Sequence, residues 1–185
     1  MANYLVAGAA GFIGSRISTM LLEQGHNVIG VDNLNDSYDP RVKKRRLEAL
    51  LPQPGFHFYQ KDICDLPTLR DVFARHQPLQ AVLNLAARAG VRQSVQDPWG
   101  FVDTNLTGTL NLLECSRQYD VPKFIFTSTS GVYGANPPLP TPESAESDHP
   151  VQPYAASKKA AEVMCHAYHR LYGLDVAVFR FFSVY

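Results

Sequence analysis

In "QPYAASK", Gln152 to Lys158, a tyrosine stands four residues ahead of a lysine. Tyr154 and Lys158 are residue types that together can handle a proton. Residues four apart on a helix are neighbours, and an ammonium beside a phenol favours the phenolate, which turns a weak acid into a general base usable near neutral pH. Spacing alone is a weak signal, because Tyr119 and Lys123 share it. Between those two, Pro122 interrupts and Lys123 begins an apolar run, so they need not face one another. For Tyr154 and Lys158 the competing reading is an aromatic staple with a solvent-facing lysine. A second motif near the amino terminus tips the balance toward chemistry.

That motif, "GAAGFIG", sets Gly8, Gly11 and Gly14 directly after an apolar run and at the head of a helical period. Glycines suit a tight turn there, and a side chain would hold a pyrophosphate away from the amides at the helix N-terminus. The next apolar run ends in Asp32, at the remove where a carboxylate accepts bonds from an adenosine ribose. Strand, turn, helix and acid together point to a bound dinucleotide, whereas glycines alone would point only to close helix-to-strand packing. The acid would repel a ribose phosphate and so favours NAD over NADP. The basic cluster Arg41, Lys43, Lys44, Arg45 and Arg46 argues the other way; it is read as a solvated helix face because Leu47, Leu50 and Leu51 follow at helical spacing. Asp62 stays open between accepting from an adenine amino group and capping a helix ahead of Leu66 and Leu69.

"TSTSGVYG", Thr127 to Gly134, follows another apolar run and ends on the same rim as the glycine turn. Hydroxyls of Ser128, Thr129 and Ser130 can hold a sugar hydroxyl or carboxylate there; the plainer alternative is that small polar residues favour loops. His166 and His169 lie one helical turn apart beside Cys165, but with no third convergent ligand they are read as helix residues and no metal site is expected. Trp99 and Phe101 are read as opening a core helix, and Cys64 and Cys115 as small buried hydrophobes.

The elements that must position these groups alternate along the chain. Short apolar runs at Tyr4 to Gly8, Asn27 to Asp32, Phe56 to Gln60, Ala81 to Ala86, Lys123 to Ser128 and Asp175 to Phe181 are separated by segments of helical period. Six strands joined by crossovers predict an α/β fold, a doubly wound parallel sheet, in one domain over residues 1–185. Phe12, Ile13, Ile17, Met20 and Leu21 share one face of the first helix, with Gly25 as its stop. Ala161, Met164, Tyr168 and Leu171 form the buried stripe of a helix opening at Pro153 and ending near Gly173. Asn33 to Gly55 and the proline-rich Ala135 to Pro153 are the two irregular regions.

Composition removes several function classes. Seventeen basic residues balance seventeen acidic ones, so no global field draws nucleic acid or an anionic membrane. Three widely spaced cysteines suit free thiols in the cytoplasm better than a disulfide framework. Residues 1 to 15 lack a signal-peptide pattern, and no run is long enough to span a bilayer.

The motifs "GAAGFIG", "VDNLN", "LAARAGVRQS", "FTSTSGVYG", "YAASK" and "RFFSVY" stand in the order found in the extended short-chain dehydrogenase/reductases. The chain resembles that family over essentially its whole length, and within it the nucleotide-sugar 4-epimerases. "DNLNDSYD" paired with "AGVRQS" and "SDHPVQPYAASKKA" is most similar to the UDP-glucuronate 4-epimerases. The resemblance implies a Rossmann fold and NAD as a retained prosthetic group, held by Gly8, Gly11, Phe12, Ile13, Gly14, Asp32, Asn33, Asp62, Ile63, Leu85, Ala86, Ala87, Tyr154 and Lys158. It implies Thr129, Tyr154 and Lys158 as catalytic residues: Tyr154 takes the sugar 4-hydroxyl proton while hydride leaves C4, and Lys158 binds the nicotinamide ribose and lowers the tyrosine pKa. A UDP-sugar would meet Arg92, Ser128, Thr129, Ser130 and Ser183, with Thr129, Ser130 and Ser183 restraining a uronate carboxylate and Arg92 as charge partner.

Related dehydratases carry an Asp-Glu pair where this chain has Ser130 and Gly131, and related decarboxylases a glutamate at the second position, so both alternatives are disfavoured. The chain stops at "RFFSVY", where the family runs on into the segment that binds the nucleotide diphosphate. The expectation is therefore an NAD-binding domain whose C-terminal substrate-binding segment is missing, with a non-catalytic NAD-binding module as a further alternative. Homodimerisation through helices at Asn105 to Tyr119 and Pro153 to Tyr172 is also implied.

Overall fold

The computed structural model describes all 185 residues. Six strands, β1 (Asn3–Ala7), β2 (Asn27–Asp32), β3 (Phe56–Gln60), β4 (Leu79–Asn84), β5 (Lys123–Thr129) and β6 (Asp175–Phe181), form one sheet in the order β3-β2-β1-β4-β5-β6. Every pairing is parallel. This is the doubly wound α/β architecture that the run-and-helix rhythm predicts.

The strands read as apolar runs because helices cover both sheet faces, so successive side chains enter different cores. In β1, Leu5 and Ala7 join a core with α3 (Leu66–Arg75), α6 (Gly108–Gln118) and α7 (Pro153–Tyr172), built around Phe73, Leu112, Phe124, Phe126 and Cys165. Val6, between them, joins a smaller core with α1 (Phe12–Glu23) and α2 (Pro40–Leu50), built around Val28, Leu47, Leu50 and Phe56. Two short helices, α4 (Val91–Gln96) and α5 (Pro98–Val102), and a π-helical turn, Asp103–Thr107, lead into α6. A 3-10 turn, Ser130–Tyr133, follows β5.

Several expectations change in detail. The face of α1 that is fully buried is Gly14 and Ser18; Phe12 and Met20 are exposed, because only small residues allow that helix close to β1. In α7, Ala161 and Tyr168 are buried as expected, but Leu171 is 72% exposed at the last turn. Phe101 is a core residue of α5, whereas Trp99 is exposed. Cys115 is buried, but Cys64 is only half-buried, its thiol donating to the Asp103 carbonyl. The region Asn33 to Gly55 contains α2, opened by Asp39 and Pro40. The proline-rich Ala135 to His149 holds no helix or strand, and is tied down where Arg180 donates to the Glu143 carbonyl and Ser147 hydroxyl.

Candidate active site

A cleft of about 620 Å³ opens at the carboxyl ends of the strands, where β1 and β4 send their connections to opposite faces of the sheet. One wall is the glycine turn. Gly8 has φ +82°, a left-handed backbone, and a Cβ there would lie 2.7 Å from the Ala86 amide nitrogen across the cleft floor. A Cβ at Gly14 would run into the Gly8 carbonyl. Gly8 and Ala9 donate to the Val31 carbonyl at 2.7 and 3.3 Å, which pins the turn to β2 and leaves the first amides of α1 facing the cleft. Gly8, Gly11, Phe12, Ile13 and Gly14 all line it.

Asp32 and its neighbours form one end. The Asp32 carboxylate is 6% exposed and accepts from the Ala10 amide (3.2 Å), the Leu34 amide (2.9 Å) and the Lys43 ammonium (3.2 Å). Lys43 is itself buried and also bonds Asn35 Oδ1 at 3.1 Å. This corrects the reading of the basic cluster. Arg41, Lys44 and Arg45 are solvated, but Lys43 points into the cleft and Arg46 is half-buried at its edge. Lys43, Leu47 and Leu50 stand at positions i, i+4 and i+7 of α2, so the lysine continues the buried stripe. Asp62 accepts from Asn33 Nδ2 (2.8 Å) and the Cys64 amide (2.8 Å). It does not cap α3; Asp65 does, through the Thr68 amide. Burial pushes the Asp62 carboxyl up, but those bonds hold it below the ordinary carboxylate range. The Cys64 thiol beside it is pushed up to about 12 by burial and the Asp62 charge. Asn33, Asp62 and Ile63 line the cleft, as do Leu85, Ala86 and Ala87 after β4.

The other end is built by β5 and α7. Ser128, Thr129, Tyr154 and Lys158 line it together. The Tyr154 ring stands edge-on to Phe101, centroids 6.1 Å apart, and its backbone carbonyl accepts from Ser157. Asn105, fully buried in the π-helical turn, bonds the Arg88 amide and carbonyl and the Ser157 hydroxyl, so one side chain locks the loop after β4 to the helix carrying Tyr154. Nothing in the composition singles Asn105 out; its signal is only an asparagine inside an apolar helical period.

Lys158 is 1% exposed, and its ammonium lies 4.4 Å from the centroid of the Phe126 ring without a hydrogen-bond partner. Burial pulls its pKa down to about 7. The Ser128 hydroxyl is likewise buried and unpartnered. Burial raises the Tyr154 pKa, with the Thr129 hydroxyl pulling the other way. Burial and the Thr129 hydroxyl are what act on the Tyr154 phenol in this structure, and Lys158 does not pull it toward phenolate as its spacing would predict. Tyr119 and Lys123, at the same spacing, are apart: Tyr119 bonds the Arg70 carbonyl and Lys123 bonds Asp175.

Of the expected substrate residues, Ser128 and Thr129 reach the cleft. Ser130 begins the 3-10 turn, Arg92 is exposed on α4 and Ser183 is exposed after β6, and none of the three lines it. Lys43, Arg46 and Tyr38 line it without having been expected.

Brought to one crevice, a dinucleotide turn and a tyrosine–lysine helix make this chain a Rossmann domain of the short-chain dehydrogenase/reductase kind. Residues 4–185 match the NAD dependent epimerase/dehydratase family, and the chain belongs to it. It is 49% identical over 185 residues to the UDP-glucuronate 4-epimerase of Thermodesulfobacterium geofontis, covering 100% of this chain and 57% of that protein. Two solved structures are similar. UDP-glucuronic acid 4-epimerase from Bacillus cereus, in complex with UDP-glucuronic acid and NAD, has a TM-score of 0.89 at 34% identity, over 99% of this chain and 57% of that one. UDP-glucose 4-epimerase from Thermotoga maritima with UDP-glucose has a TM-score of 0.87 at 40% identity, over 99% and 56%. The chain thus spans little more than half the length of these relatives.

Proposed function

We propose that the protein serves NAD-dependent epimerisation at C4 of a UDP-sugar, UDP-glucuronate to UDP-galacturonate, and that residues 1–185 are the domain that holds NAD and supplies the proton-transfer group. The observation carrying this reading is Lys158. A buried ammonium without an acceptor is a cost that a fold sheds unless a ligand provides the acceptors, and this one sits in the same cleft as the glycine turn, Thr129 and Tyr154. The hydroxyls of a nicotinamide ribose fit that need.

In this reading the glycine turn and the first amides of α1 take the pyrophosphate, Asp32 the adenosine ribose, and Asn33 and Asp62 the adenine edge. When bound, NAD supplies the hydride acceptor and donor at C4. Tyr154 accepts the proton of the sugar 4-hydroxyl and gives it back. Lys158, its charge secured by hydrogen-bond acceptors, stabilises the phenolate; Thr129 and the free Ser128 hydroxyl hold the sugar. Ser130 and Gly131 place no acid directly after Thr129 for elimination or decarboxylation, and a side chain at Gly131 would crowd Ala155, an added Cβ lying 3.3 Å from its methyl.

The test is incubation of the whole protein with UDP-glucuronate and, separately, UDP-glucose, with products resolved by NMR. C4-epimerised uronate as the main product supports the reading; a pentose or a deoxy-keto product, or NAD binding without turnover, removes it. We also propose a cytosolic homodimer joined across α6 and α7. Val163, Leu171 and Tyr172 are exposed on α7 in a chain where no helix is long and apolar enough to cross a membrane. Sedimentation at micromolar concentration decides between dimer and monomer.

A further inference from the structure

Tyr154 has its backbone and its ring tied to the same residue. Arg88 stands between Ala87 and Ala89, which line the cleft, and its side chain lies on α5 instead. Its guanidinium carbon is 5.8 Å from the centroid of Phe101, and Nη1 donates to Asp97 Oδ2 at 3.0 Å. Phe101, 2% exposed, is in turn the ring that meets Tyr154, at 6.1 Å and 76°. The backbone route runs in parallel. The Arg88 amide donates to Asn105 Oδ1 (2.9 Å), Asn105 Nδ2 donates to the Ser157 hydroxyl (2.9 Å), and that hydroxyl donates to the Tyr154 carbonyl (2.7 Å). The sequence of α5 suits the guanidinium. A Cβ at Gly100 would run into Arg88 Nη1 and push it off this seat. Asp97, which pairs with Arg88, also caps α5 through the Gly100 amide.

A phenol passes a proton to and from a bound hydroxyl only when its oxygen is aimed, and small errors of aim cost rate steeply. An aromatic ring is aimed by the surfaces beside it, and edge-on aromatic pairs have a preferred geometry. A cation over the face of the second ring fixes that ring as well. An arginine–aspartate pair as exposed as this one, 35% and 53% at the side chains, adds little to stability. Its consequence is where it puts Phe101. We propose that Arg88 is a positioning residue for Tyr154: held by Asp97 and laid over Phe101, its guanidinium locks the ring against which the phenol is aimed. The inference rests on the reading that Tyr154 transfers the proton. Arg88 acts through Phe101, not on the substrate.

The experiment has two arms, with far-UV circular dichroism reporting fold in both. The first is fluorine NMR of the 185-residue chain labelled with fluorotyrosine, the Tyr154 resonance being identified by its loss in Tyr154→Phe. Arg88→Met moves and broadens that resonance. Arg88→Lys, which keeps a cation over the ring and within reach of Asp97, leaves it near the wild-type position. The second arm is turnover of UDP-glucuronate by the whole protein. Arg88→Met lowers kcat by about ten- to a hundredfold with KM within about twofold, and Arg88→Lys recovers most of the loss. Phe101→Leu with Arg88→Met loses no more than Phe101→Leu alone, because both act through one ring. An unmoved Tyr154 resonance or an unchanged kcat in Arg88→Met overturns the inference, as does a loss that Arg88→Lys shares in full. Where Phe101→Leu does not fold, the two Arg88 variants decide. A wild type without turnover removes the epimerase reading, and the resonance then still decides whether Arg88 aims the phenol.

Discussion

The two ends of the cleft are built on opposite terms. At the Asp32 end the carboxylates are satisfied within the protein: Asp32 by two amides and Lys43, Asp62 by Asn33 and the Cys64 amide. At the Lys158 end the key groups are left over, an ammonium and the Ser128 hydroxyl, both buried and neither partnered. The first end is preorganised and stable with its own bonds. The second keeps a destabilising charge in place, which natural folds tolerate at sites where a ligand completes the bonding. On the proposed reading, recognition and chemistry are thus divided along one cleft.

The largest effect that can break this contrast is at Tyr154. In the whole protein Tyr154→Phe should lower kcat by about 10³-fold while weakening NAD retention far less, since Lys158 and the glycine turn remain. Equal loss of cofactor binding would make the phenol a structural group and erase the division between the ends. Next is the turn on which both ends depend. Gly8→Ala, at φ +82° with Ala86 2.7 Å away, should cost about 3 kcal/mol in denaturant unfolding. Gly25→Ala, at φ +78° with nothing within 4 Å, should cost only about 1 kcal/mol.

Lys158→Met sharpens the contrast through stability, since removing an unpartnered buried ammonium should stabilise the chain by about 2 kcal/mol at pH 7. The direction with pH follows from linkage. The folded pKa, about 7, lies below the ordinary lysine value, so between the two the unfolded chain binds more protons and stability rises with pH. The gain from Lys158→Met is therefore largest at and below pH 7 and fades toward the ordinary lysine range. A gain independent of pH would mean that the ammonium is not the source. The smallest effect belongs to the satisfied end. Asp62→Asn should lower stability by about 0.5–1 kcal/mol above the ordinary carboxylate pKa, after solvent screening, with the difference lost in acid.

The sheet could be read from the sequence because the central strands are buried on both faces and read as apolar runs, and three of the six strands agree at both ends to the residue. The glycine turn and the Tyr154–Lys158 helix were readable because backbone geometry restricts the residue types allowed there. Lys43 was misread because a run of five basic residues hid one that shares the stripe of Leu47 and Leu50. Trp99 and Leu171 were misplaced because helical period gives a face but not which end of the helix meets a partner. The depressed lysine was not readable at all, since it arises from the burial that α7 acquires only on packing against Phe126.

A crystal structure of this chain with NAD tests the central claim most directly. The account predicts the nicotinamide ribose hydroxyls within hydrogen-bond distance of the Lys158 ammonium and the pyrophosphate over Gly8 to Gly14. A dinucleotide seated elsewhere, or seated there with that ammonium still unpartnered, would contradict it.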